Sequence, residues 1–220
     1  MIGYGNRREA LDAIVSGSFG KPSAKPRRYD LFLREGATGG LVWRYRDEGV
    51  VLTPLGLEWT ASGLKRSTVY GLIRSIRIQT GHVPKSGNFG SCTITFRNGQ
   101  TLTVNSLNSW GSPDEDRLDD YAEFIQDLHA HLSDEDRKRI SFIAGMTEGR
   151  QMFGKVAVFI GAAFFVVLPL VLLLITGEIK ALFITAFGVA FIYPAYRTMK
   201  KNEPRTYSPT NLDDDLFPHT

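Results

Sequence analysis

The chain carries a single cysteine, Cys92, among 220 residues, which excludes an internal disulfide framework and a thiolate zinc site, because both need several sulfurs. The water-facing part of the chain therefore needs no oxidising compartment. Histidine is also scarce, with four residues. His82, His129, His131 and His219 are dispersed, and positions 129 and 131 point to different faces of a helix, so no metal site is expected. No apolar stretch near the start is long enough for a signal peptide, and the first part of the chain is expected to stay in the cytosol.

Phosphate motifs fail on inspection. Gly17-Ser18-Phe19-Gly20-Lys21-Pro22 lacks both the hydroxyl residue after lysine and the initial glycine of a P-loop, and Gly36-Ala37-Thr38-Gly39-Gly40 leads into a β-prone run rather than a helix. Cys92 falls on the inward side of a β-prone run with no cation nearby, which reads as an inert core thiol. Asp213, Asp214 and Asp215 read as a solvated or partner-binding tail rather than a metal site. An alternative, a small membrane enzyme, would have to use groups such as Glu148, Arg150 and Lys155, which form no acid/base or nucleophile pattern. The expectation is a non-enzyme without metal or cofactor.

Charge is modest and uneven: the formal net charge is +3. Basic residues gather at Arg7, Arg8, Lys21, Lys25, Arg27 and Arg28, and again at Arg137, Lys138, Arg139, Arg150 and Lys155. That placement suits an anionic lipid surface, where each cation gains about 1 kcal/mol, and no nucleic-acid partner is expected.

What the chain does have is grease near its end. Residues 156–175, VAVFIGAAFFVVLPLVLLLI, hold no charge, and about 20 residues at 1.5 Å rise cross the roughly 30 Å hydrocarbon core. Residues 181–196 are also apolar but shorter. Lys180 alone marks the connector, whereas Arg197, Lys200, Lys201 and Arg205 follow. The positive-inside rule then predicts a two-helix transmembrane hairpin with both termini cytosolic. Ala157 with Gly161, and Ala186 with Ala190, are small residues four apart that suit close helix pairing, and Pro169 and Pro194 are expected to kink their helices. Neither span holds an ionisable group, which argues for an anchor rather than an ion or proton path.

Upstream, short β-prone runs occur at 29–34, 41–46, 50–53, 56–60, 70–80, 91–97 and 101–105. Cys92, Ile94 and Phe96 alternate with polar residues, and Asn98-Gly99 predicts a two-residue type I′ hairpin. At Ser112-Pro113-Asp114-Glu115 a capping box predicts a helix start, followed by the stripe Leu118, Tyr121, Ala122, Ile125, Leu128 and Leu132, with Asp119, Asp120, Glu123 and Asp127 on the wet face. Ser133-Asp134-Glu135-Asp136 predicts a second start, opening a basic helix whose Ile140, Ile143 and Ala144 share one side, either a solvated linker or a helix lying on the bilayer. The tail beyond Arg205 is expected to be disordered or bound in extended form.

Short strands closed by one amphipathic helix over residues 29–132, with the stretch Ser67-Thr68-Val69-Tyr70-Gly71-Leu72-Ile73-Arg74-Ser75-Ile76, resemble the pleckstrin-homology-like (PH-like) fold, and in arrangement the bacterial membrane-anchored proteins that join such a domain to membrane helices. The resemblance implies an α+β chain: an antiparallel β-barrel or sandwich capped by a C-terminal helix, then the hairpin. With the charge and hydropathy pattern, the expected organisation is a basic tail at 1–28, the PH-like domain at 29–132, a basic juxtamembrane connector at 133–155, the hairpin at 156–196 (spans 156–175 and 181–196) and a cytosolic tail at 197–220. The expected place is the bacterial inner membrane and the expected role a non-enzymatic binding or scaffold protein. Its partners would be the bilayer and another membrane or membrane-associated protein. By the same resemblance, Arg34, Arg44 and Arg46 stand where phosphoinositide-binding PH domains carry basic residues, which implies an alternative role in binding anionic lipid headgroups.

Overall fold

A computed structural model of the chain describes residues 25–36, 49–61, 63–83, 86–108, 110–177 and 179–218. It divides into two compact units, Met1–Ala144 with Thr206–Thr220, and Gly145–Arg205. The class is mixed α+β. Among the described residues the strands form two open sheets and no closed barrel.

In the first unit, one extended segment serves both sheets. β1 (Arg27–Tyr29) pairs antiparallel with β3 (Val50–Leu52), which continues through β4 (Gly56–Ala61) to β5 (Leu64–Val69). After Asp30 and the buried Leu31 the same segment becomes β2 (Phe32–Glu35) and joins the other sheet instead, pairing with β8 (Thr101–Asn105). The second sheet runs β10-β9-β6-β7-β8-β2, with β6 at Ile73–Val83, β7 at Gly87–Phe96, β9 at Ser141–Ala144 and β10 at Arg205–Thr206. The expected strand at 41–46 lies outside the described residues.

The alternation read along β7 holds. Cys92, Ile94 and Phe96 are buried, and the register sets Cys92 against Val104 and Ile94 against Leu102, so one apolar row faces inward. The hairpin joining β7 to β8 differs from expectation. Gly99 N–H donates to the Phe96 carbonyl at 3.0 Å and Phe96 N–H to Gln100 at 2.9 Å, with Gly99 at φ 84°. The loop is thus a three-residue turn ending in a left-handed glycine, not a two-residue Asn98-Gly99 turn.

Helix α1 (Asp116–His131) also starts later than the capping motif implies. Ser112 and Pro113 are taken up before the helix: the Ser112 carbonyl accepts Asn108 N–H at 2.7 Å, and Pro113 bridges to Leu107. Asp114 supplies the cap instead, its Oδ1 accepting Asp116 N–H at 3.2 Å. The stripe does face the core, with Leu118, Tyr121, Ile125, Leu128 and Leu132 buried. The Tyr121 ring occupies the space over Gly90 of β7, where an added Cβ would come within 2.2 Å of it. On the face read as wet, Asp127 accepts the Tyr29 hydroxyl, and Arg27 pairs with Glu123, tying α1 to β1.

Two segments correct the sequence reading. Ser133 does cap α2 (Asp134–Arg139), accepting Asp136 N–H at 3.1 Å, but the helix stops after that turn and the chain becomes β9, parallel to β6. Ile140, Phe142 and Ala144 are buried, which is the period of a strand and not of a linker helix. The basic residues here are engaged in the fold: Arg137 donates to the His129 carbonyl at 3.1 Å and Arg139 to the Gly71 carbonyl. The tail, expected to be disordered or extended, belongs to the first unit. Tyr207, Leu212, Leu216 and Phe217 are buried in its core. Tyr207 packs edge-on against Phe142 with ring centroids 5.6 Å apart.

The second unit is helical. α3 (Glu148–Ala162), a π-helical turn at Ala163–Val167 and α4 (Leu168–Thr176) form one continuous rod, and α5 (Lys180–Lys201) returns beside it. The π turn has a local cause. Pro169 brings no N–H to the Phe165 carbonyl four residues earlier, and the ladder widens there. Gly188 of α5 packs against that same carbonyl; a Cβ at Gly188 would lie 2.4 Å from it. Of the small residues flagged in the sequence, Gly161 faces Ile192 of α5, but Ala157, Ala186 and Ala190 are exposed.

Candidate functional site

β5 is the end strand of the first sheet, and its side chains are almost all exposed. Its register against β4 sets Arg66 opposite Trp59 and Thr68 opposite Leu57, so these lie on the inner face, whereas Lys65 and Ser67 lie outward opposite Thr60 and Glu58. Glu35, at the end of β2, fastens this edge. Its Oε1 accepts the Trp59 indole N–H at 2.9 Å and pairs with Arg66 Nε at 3.0 Å. Trp59 in turn stacks on Phe96 of the second sheet, with ring centroids 5.7 Å apart.

A cleft of about 350 Å³ opens beside this edge, with Trp59, Arg66, Leu72, Phe96 and Asn98 among its walls. A second groove, about 400 Å³, lies on the outer face along Arg28, Val51, Glu58 and Lys65. Leu64, Val69 and Leu72 stand about half exposed at the rim. Lys65 makes no ion pair among the described residues. The site can therefore offer three things to a ligand: an edge of backbone donors and acceptors, an apolar wall and a cation.

Of the three arginines expected to take a lipid headgroup, Arg34 alone falls among the described residues. Arg34 lies on β2, half-buried opposite Thr103, and its Nε is buried with no hydrogen-bond partner among the described residues. Arg44 and Arg46 lie outside the described residues. Of the enzyme candidates, Glu148 is exposed and Lys155 pairs with Glu203 at 3.4 Å. Among the described residues no three His, Cys, Asp or Glu side chains converge.

Two buried titratable groups are structural. Burial pushes the Cys92 thiol up, well out of the thiolate range. His129 is fully buried; its Nδ1–H donates to the Ile125 carbonyl at 2.7 Å, so Nε2 accepts the Tyr207 hydroxyl at 2.9 Å. Burial lowers its pKa to about 4, and the ring stays neutral near pH 7. Nothing in the local sequence marks this bond, since Tyr207 lies 78 residues from His129.

In the helical unit, Gln151–Thr176 is 26 residues long and almost wholly exposed, long and apolar enough to cross a membrane. The apolar part of α5, Leu182–Pro194, is shorter. The sequence matches no known protein-family model and no curated protein.

Proposed function

We propose that the protein is a non-enzymatic, membrane-tethered binding module of PH-like design, held at the cytosolic face of a bacterial inner membrane by a two-pass helical hairpin. Chain connectivity carries the reading. The chain leaves the α+β unit after Ala144 and re-enters it at Thr206. At 1.5 Å per residue the 26 residues of Gln151–Thr176 reach ~39 Å, more than a hydrocarbon core of about 30 Å. A chain that crossed once would end on the far side, yet Tyr207 and Phe217 are buried in the unit from which it set out. The return falls to α5, 22 residues with its apolar part at Leu182–Pro194, which follows the rod in the chain and leads back to Thr206. Lys and Arg lie at the ends that join the α+β unit, which favours the cytosolic side. Tethering raises the effective concentration of a partner in the same membrane, so a weak interface suffices.

Single-cysteine labelling tests the topology without background, because Cys92 is buried. Ile179→Cys in the connector should react with an impermeant maleimide only from the outside of intact spheroplasts, and Trp110→Cys, exposed on the α+β unit, only after lysis. Labelling of both from one side rejects the two-pass arrangement.

A further inference from the structure

The edge of β5 has a direction and a charge that specify what it would accept. Gly56 exchanges both backbone bonds with Thr53, at 2.9 and 3.3 Å, so its polar groups point toward β3. Opposite it on β5 stands Val69, which makes Val69, Ser67 and Lys65 the residues whose N–H and C=O groups point away from β4. No described strand covers that side. An uncovered edge is a template for another strand unless charge or shape forbids it. Here the strand LKRSTV carries two adjacent cations and no anion, which opposes pairing with a second β5 and attracts an acidic chain. Arg66 is already held by Glu35, so Lys65 is the cation available to a ligand.

We infer that β5 is the docking edge for an extended acidic segment of a partner protein, which adds as a further strand of the first sheet and seats an apolar side chain in the cleft beside Leu72. The inference rests on the reading of this unit as a tethered binding module. Backbone pairing supplies the hold, Lys65 selects the charge, and the cleft selects the alternate side chains.

The test uses the full chain in detergent and three fluorescent peptides. One alternates valine with glutamate, one carries lysine in place of glutamate, and one is the glutamate peptide N-methylated at alternate backbone nitrogens. Anisotropy should show the first bound at least about tenfold more tightly than either other, a gap of about 1.4 kcal/mol. Ser67→Pro removes an outward N–H while leaving the β4 ladder intact, and should abolish that preference. Lys65→Glu should shift it toward the lysine peptide. If Ser67→Pro fails to fold, the N-methylated peptide still decides. The inference is overturned by equal binding of all three peptides, by glutamate binding that ignores both N-methylation and Ser67→Pro, or by no binding at all. It is also overturned by a dimer in sedimentation that Ser67→Pro dissolves, which would make the occupant a second copy. None of these results alters the cysteine-labelling pattern, which judges the tether separately.

Discussion

In the α+β unit Tyr29, Phe32, Tyr121 and Phe124 are all but inaccessible, whereas in the helical unit Phe153, Phe159, Phe187 and Phe191 are each more than two-thirds exposed. The same residue type has been sorted in opposite senses within one chain. Water exclusion holds the first unit, and its cost of error is a cavity. The helical pair buries little of its apolar surface, and what binds α5 to the rod is close backbone approach, such as Gly188 on the Phe165 carbonyl. Mutations should therefore harm the two units in different ways: lost bulk in one, added bulk in the other.

The largest effect should follow removal of residues 207–220. Burying Tyr207, Leu212, Leu216 and Phe217 is worth roughly 1.5–3 kcal/mol each, which together rivals a whole domain's stability. The truncated protein should lose cooperative melting and protease resistance over the α+β unit, while the helical unit keeps its circular dichroism in detergent. Phe142→Ala comes next, at about 3–5 kcal/mol, read from urea unfolding followed by tryptophan fluorescence.

Acid should act on the first unit through His129. Its folded pKa of about 4 lies below the ordinary 6.5, so between those values the unfolded chain binds the proton that the folded chain refuses. Stability is complete above pH 6.5 and falls with acid by about 1.4 kcal/mol per pH unit, on the order of 3 kcal/mol in all, with no further loss from this group below its folded pKa. A His129→Gln variant should flatten that slope in denaturation measured across pH 4–7 relative to the parent.

The helical unit should respond to Gly188→Leu. Spin labels at Phe159→Cys and Phe191→Cys should separate by roughly 1–2 Å as the helices move from glycine contact toward ordinary packing at about 8–10 Å. Melting of the α+β unit should not change. The smallest effect is expected from Lys155→Ala, since its pair with Glu203 is half exposed and worth about 0–1 kcal/mol.

β5 was invisible to periodicity because a strand wet on both faces carries no alternation, and Lys65-Arg66-Ser67-Thr68 reads simply as polar chain. The one local mark is Gly63, left-handed at φ 77°, after the strand-like run that ends β4. The candidate edge was thus illegible as a site even though the sequence contained every residue of it. β9 was misread for a different cause. In so short a segment Ile140, Ile143 and Ala144 satisfy a helical spacing, while Ile140, Phe142 and Ala144 satisfy a strand's, and only the neighbouring β6 selects between them. The tail offers apolar residues at irregular intervals among polar ones, a pattern that looks disordered until its partners are known.

Local rules sufficed wherever a residue's environment is set by its near neighbours. The uncharged run within Gln151–Thr176, the inward row Cys92, Ile94 and Phe96, and the buried stripe of α1 all follow from composition and period. Contacts across long loops are another matter. That Tyr207 closes on His129 and Phe142, making the last residues of the chain part of the fold of the first, depends on shapes and bonds brought together from segments far apart. Periodicity carries no information about such partners, since it describes how one segment meets a boundary and not which other segment stands on the far side of it.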